Sequence, residues 1–182
     1  HKGVNGNTLI VGGSSDMVGA PMLAAEAAVH SGAGKVTLGV PDTIKQVVQG
    51  RIIPEVMVTS IDENESLYDG RQVVAIGPGL GRTTDIPDVV NQAIDSCEGA
   101  LVIDADALYA LGHVGAVDKD ALRDGHIESV YKVQKNLPYC VMTPHLGEFS
   151  RLIDLPIKWI ERHYITLARA FAKAHQVVLV LK

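Results

Sequence analysis

The sequence predicts an α/β protein with a mostly parallel central sheet covered by helices on both faces. Two observations carry this. Short apolar runs, several of them near-continuous in Val, Ile and Leu, alternate with longer stretches of helical spacing. Strands that are apolar throughout belong to a sheet buried on both faces, and such sheets are parallel and doubly wound. The composition agrees: 18 Gly residues stand against two Phe and one Trp. Small residues let helices sit close on a sheet and let backbone approach a ligand.

In chain order, Thr8–Val11 reads as a buried strand ended by Gly12-Gly13, and Pro21–Val29, rich in Ala, Leu and Met, as a closely packed helix. Val36–Val40 is a second strand and Val56–Thr59 a short third. Val73–Ile76 is a buried strand running into Gly77-Pro78-Gly79-Leu80-Gly81. Pro87–Ile94 has helical spacing, with Asp85 in the N-cap region. Leu101–Ile103 leads into Asp104-Ala105-Asp106, and Cys140–Met142 into Thr143-Pro144-His145. Ile160–Ala174 is an amphipathic helix and Val177–Leu181 a last strand. The polar segment from Gly112 to Leu137 reads as an irregular surface excursion.

The length of 182 residues suits one domain, and 47% hydrophobic content supplies a real core. A net charge of -5, with no basic run interleaved with aromatics, argues against nucleic acid as a partner. No apolar stretch is long enough to span a bilayer, and His1 to Asn7 carry no signal-peptide pattern. Cytoplasmic localisation is the expectation. Cys97 and Cys140 read as buried free thiols of a reducing compartment, with a disulfide as the alternative.

Ligands of open α/β sheets bind beyond the carboxyl ends of the strands. Here those ends carry Gly12-Gly13-Ser14-Ser15 with Gly19-Ala20 further on, the loop with Gly77, Gly79 and Gly81, then Asp104 and Asp106, and then Thr143-Pro144-His145-Leu146-Gly147-Glu148. Each has an ordinary structural reading as a tight turn, a helix N-cap, or a loop histidine bonded to backbone. Their coincidence at one sheet edge makes Gly79, Gly81, Asp104, Asp106, His145 and Glu148 candidate binding residues. Known nucleotide motifs fail. Gly32-Ala33-Gly34-Lys35 has Val29 where a P-loop needs its first Gly, and Val36 where it needs Ser or Thr. The Gly77–Gly81 loop lacks dinucleotide-fingerprint spacing. No zinc spacing exists, since His145 and Glu148 have no third partner. No metal site is assigned.

The ordered set of motifs resembles the ADP- or ATP-dependent NAD(P)H-hydrate dehydratases, the carbohydrate-kinase-related C-terminal domain of the YjeF proteins. It comprises His1-Lys2-Gly3, Gly12-Gly13-Ser14 with Gly19-Ala20, Ser31-Gly32-Ala33-Gly34, Gly77-Pro78-Gly79-Leu80-Gly81, Asp104-Ala105-Asp106-Ala107-Leu108, Thr143-Pro144-His145, Gly147-Glu148-Phe149 and Leu181-Lys182. Leu146 replaces the usual Pro, Tyr109 replaces a common Asn, and the stretch between Asp106 and Val141 is long. The resemblance implies a ribokinase-like three-layer α/β/α fold. It also implies repair of hydrated NADH or NADPH: the ring hydroxyl is phosphorylated from ADP or ATP with Mg2+, and phosphate is then eliminated. It puts Ala20, Gly79 and His145 on the substrate, and Lys182 beside the nucleotide phosphates at a frayed terminus.

In this family the strand ending in Leu-Lys continues into a phosphate loop and then a Gly-rich turn whose Asp is the base. The resemblance therefore implies one ribokinase-like domain over 1–182, incomplete at its C-terminus, with the catalytic Asp beyond Lys182 and little activity alone. It further implies homo-oligomers and a fused or partner epimerase domain. The alternatives are another ribokinase-like small-molecule kinase, or a non-catalytic nucleotide-binding or assembly domain. Two geometric expectations follow: the six main strands share one largely parallel sheet, and Gly79, Asp104 and His145 line one cleft.

Overall fold

In a computed structural model, the structure describes residues 6–62, 66–124, 130–135 and 138–182. His1-Lys2-Gly3 and parts of the 112–137 segment lie outside them. The chain divides into two compact units, His1–Ala107 and Leu108–Lys182.

The first unit opens with β1 (Asn7–Val11), α1 (Gly19–His30), β2 (Lys35–Val40), α2 (Asp42–Gln49), β3 (Val56–Ser60) and β4 (Val73–Ile76). It continues with α3 (Ile86–Ser96), β5 (Ala100–Ile103) and the start of α4 (Asp106–Leu111). Its strands run in the order β3-β2-β1-β4-β5 and every pair is parallel. The register sets Val11 beside Gly39 and Ile76, and Ile76 beside Ile103, so the strands end at one edge.

Alternate residues separate the two faces. Ile10, Val36, Leu38 and Val40 pack with Ala25 of α1 and with Ile44 and Val48 of α2 in one buried cluster. Ala24 and Ala28 pack against it, so the Ala face of α1 lies on the sheet as expected. Leu9 and Val11 point to the other face and are fully buried, which accounts for the unbroken apolar runs. Sequence periodicity missed α2, a short helix of mixed polarity, because only Ile44 and Val48 of it are buried. Asp85 occupies the N-cap position of α3, but its side chain makes no capping bond.

The second unit holds β6 (Gly115–Val117), α5 (Lys119–Asp124), β7 (Tyr131–Val133), β8 (Cys140–Met142), α6 (Leu146–Leu152), α7 (Ile157–His175) and β9 (Val178–Leu179). β8 and β9 pair in parallel, and β6 and β7 form an antiparallel pair. This corrects the reading of 112–137 as a surface excursion. Val114, Leu122, Val130 and Tyr131 are buried, and the Tyr131 ring lies tilted against Phe171 with centroids 5.4 Å apart, while Phe171 meets Phe149 edge-on at 5.3 Å. Gly115 makes the room, since a Cβ there would overlap the Tyr131 hydroxyl. Polarity hid the segment because few residues carry its buried side. The last strand is shorter than 177–181, yet its ladder continues: Val180 N donates to Met142 O at 2.8 Å and Lys182 N to Pro144 O at 2.9 Å. The backbone of Lys182 is therefore tied down, where a frayed end was expected.

Candidate functional site

In the first unit, strand order reverses between β1 and β4, because β2 and β3 build outward on one side of β1 and β4 and β5 on the other. The loops leaving β1 and β4 diverge at such a point and open a crevice beyond the carboxyl ends. A cleft of about 660 Å³ lies there, lined by Ser14 and Asp16 after β1, Pro41 after β2, Leu80, Gly81 and Arg82 after β4, and Asp106 after β5.

Glycine is required at two points of its wall. Gly77 has φ +130, and a Cβ on it would overlap the carbonyl of Asp104. Gly79 has φ +67, and its Cβ would come within 2.8 Å of Met17 O, just before Ala20 on α1. Both glycines therefore serve close backbone approach as well as left-handed geometry. Ala105 also adopts φ +51, a conformation costly for a residue with a Cβ. That turn presents Asp106 back toward the β4 loop. Asp106 Oδ2 accepts the Gly81 amide at 3.0 Å, and Oδ1 accepts Arg82 Nε at 3.3 Å. Asp104 Oδ1 accepts the amide of Ala105 at 2.8 Å. Ser14 Oγ is buried and, among the described residues, has no hydrogen-bond partner.

Of the residues picked from sequence, Gly81 and Asp106 meet at this cleft, while Gly79 and Asp104 brace the backbone behind it. Sequence reasoning did not single out Asp16 or Arg82. Arg82 directly follows the Gly loop, and its position there was the available signal.

In the second unit, His145 is the N-cap of α6. Its Nδ1 accepts the amides of Gly147 and Glu148 at 3.0 and 3.3 Å, and Glu148 Oε2 accepts the His145 amide at 2.8 Å. With Nδ1 accepting, the ring proton of the neutral form sits on Nε2, which faces Glu148 Oε1 at 3.3 Å. His145 and Glu148 thus form a reciprocal capping box, and the histidine ring remains mostly exposed. Thr143 Oγ1, at the end of β8, is buried without a partner among the described residues. Leu146, Glu161, Tyr164, Leu181 and Lys182 line a groove of about 300 Å³. Among the described residues, no group of three His, Cys, Asp or Glu side chains could hold a metal ion, and no helix is long and apolar enough to cross a membrane.

A family model described as NAD(P)H-hydrate dehydratase matches residues 8–182. The chain belongs to this family. Among curated relatives it is 32% identical over 196 residues to the bifunctional NAD(P)H-hydrate repair enzyme Nnr of Dictyoglomus turgidum, covering all of this chain and 35% of that protein. It is 28% identical to the ADP-dependent (S)-NAD(P)H-hydrate dehydratase of Bacillus subtilis, covering 59% of it. Among solved structures, the Bacillus subtilis ADP/ATP-dependent dehydratase co-crystallised with ATP/Mg2+ superposes with TM-score 0.74 at 28% identity, covering all of this chain and 59% of that one. A ribokinase-like superfamily protein of Enterococcus faecalis V583 gives TM-score 0.77 at 25% identity, with 100% and 59% coverage. The fold is therefore α/β and ribokinase-like. The chain spans about a third of the length of the first bifunctional relatives and about three fifths of the Bacillus subtilis dehydratase.

Proposed function

We propose that this chain carries the substrate-binding part of an NAD(P)H-hydrate dehydratase, which returns hydrated NADH or NADPH to the reduced dinucleotide at the expense of ADP or ATP. The observation that carries the reading is the family match across residues 8–182, joined to a cleft at the strand-order reversal of the first unit.

The chemistry has a direct logic. The hydrate bears a hydroxyl on the nicotinamide ring, and hydroxide is a poor leaving group. Transfer of a phosphoryl group to that oxygen makes phosphate the leaving group, and the ring nitrogen lone pair expels it. Such a transfer rests on positioning and on fixed donors for the developing charge. In this reading the Gly79–Gly81 backbone and the start of α1 at Ala20 contact the substrate, and Asp104 and Asp106 hold the glycine loop. In the second unit His145, kept in its tautomer by Glu148, contacts substrate, and Lys182 contacts nucleotide phosphate. No residue of 1–182 is assigned as the base; an Asp outside this segment is the family expectation. Mg2+ would enter with the nucleotide in this reading and would offset negative charge on the transferring phosphate. A fused or partner epimerase, homo-oligomeric assembly and a cytoplasmic setting belong to the same reading.

The test mixes hydrated NADH, ADP or ATP, and Mg2+ with this chain, and separately with a longer protein that contains it. Nucleotide-dependent recovery of reduced-nicotinamide absorbance is expected with the longer protein and little with the 182-residue chain. No recovery with either would overturn the function. Equal rates would return the base to residues 1–182, with Asp104 and Asp106 tested first.

A further inference from the structure

The side chains lining the first unit's cleft are mostly neutral or acidic: Asp16, Asp85 and Asp106 carry negative charge, and Arg82 is the one cation among the described lining residues. Three carboxylates repel a phosphate brought into this space, and Arg82 is the lining side chain whose charge can offset that repulsion. Arg82 is placed to do so. Its side chain is 62% exposed, whereas that of its partner Asp106 is 13% exposed. An exposed arginine ordinarily samples many rotamers and gives up that freedom on binding. Here the contact through Nε at 3.3 Å holds the guanidinium over the cleft before any ligand arrives. Asp106 is itself fixed by the Gly81 amide at 3.0 Å and by the left-handed turn at Ala105. A long, largely solvated ion pair contributes little to folding. Its geometric consequence is orientation of a planar donor suited to phosphate.

We propose that Arg82 is the phosphate-contacting residue of this cleft, and that Asp106 is a positioning residue acting through Arg82. The inference rests on the dinucleotide reading above and deepens it: the pyrophosphate of the substrate enters at the Arg82 end, and its uncharged sugar and ring portions meet the rest of the wall.

The test is calorimetric binding to the full 182-residue chain, with NADH as the phosphate-bearing probe and reduced nicotinamide riboside as the phosphate-free one. Arg82→Gln is expected to weaken NADH about tenfold or more, the loss typical of one charge-assisted hydrogen bond, and to leave the riboside within about twofold. Arg82→Lys keeps the charge and restores part of the NADH affinity. The salt dependence of NADH binding should fall in Arg82→Gln and persist in Arg82→Lys and Asp106→Asn. Asp106→Asn should lower NADH affinity several-fold while sparing the riboside; a purely structural brace would weaken both probes equally. NADH binding unchanged in Arg82→Gln would overturn the inference and leave the dinucleotide reading standing. Wild-type chain that binds neither probe would overturn both.

Discussion

His175 gives the second unit an acid-sensitive core. The residue is 5% exposed, Nε2 meets the Tyr131 hydroxyl at 2.9 Å, and Nδ1 has no partner among the described residues. Phe171 and Tyr131 surround it, with ring centroids at 4.6 and 5.3 Å. Of the elements packed on α7, β7 brings the Tyr131 hydroxyl to the ring, while Lys132 of the same strand turns to Asp118. On α6, Glu148 pairs with His145 and Arg151 lies over Tyr109. Burial in this apolar setting pushes the imidazole from 6.5 down to about 4. A depressed value means that the unfolded chain takes up the proton first. The stabilisation is complete above about pH 6.5 and is lost as pH falls toward about 4. The gap corresponds to at most about 3 kcal/mol, a large part of the stability of a unit this size.

The perturbation replaces both partners, Tyr131→Phe with His175→Leu. Exchanging a buried hydrogen-bonded pair for apolar groups of similar shape is nearly neutral. The double variant should therefore match wild type near neutral pH and outlast it in acid. Tyr131→Phe alone leaves Nε2 unpaired and should cost about 1–3 kcal/mol at neutral pH. Urea unfolding followed by circular dichroism at several pH values between about 7 and 4 reads these differences. If the double variant loses stability with acid as steeply as wild type, His175 is not the titrating group and the reasoning fails.

Gly77→Ala should be the most damaging glycine substitution in the β4 loop, costing more than about 3 kcal/mol, because the added carbon meets the fixed Asp104 carbonyl at a positive φ; a melting temperature within a few degrees of wild type would contradict this. His145→Ala should remove the α6 cap and lower stability by about 1 kcal/mol, measurable by thermal melting. Cys97, partly exposed, should react with an aromatic disulfide reagent in the folded protein. Cys140, buried and with its thiol pushed up to about 11, should react only on unfolding.

The sequence by itself determined the main strands of the first unit and their parallel sense, and it singled out the residues that follow them as candidate site residues. Apolar runs such as Val73–Ile76 are legible because burial on both faces removes alternation, and each ends in residues only a tight strand-to-helix turn demands. What the sequence could not decide was contact between distant residues. Asp106 could be read as a cap or as a ligand; only the chain path shows both its oxygens spent on Gly81 and Arg82. His145 proved to cap its own helix, which local spacing to Glu148 allowed but did not require. The 112–137 segment looked like a polar loop because its buried side is carried by a few residues, and the space for Tyr131 is set by the missing side chain of Gly115. Secondary structure follows from local periodicity, whereas the partner of a carboxylate or a buried ring is fixed by packing between segments far apart in the chain.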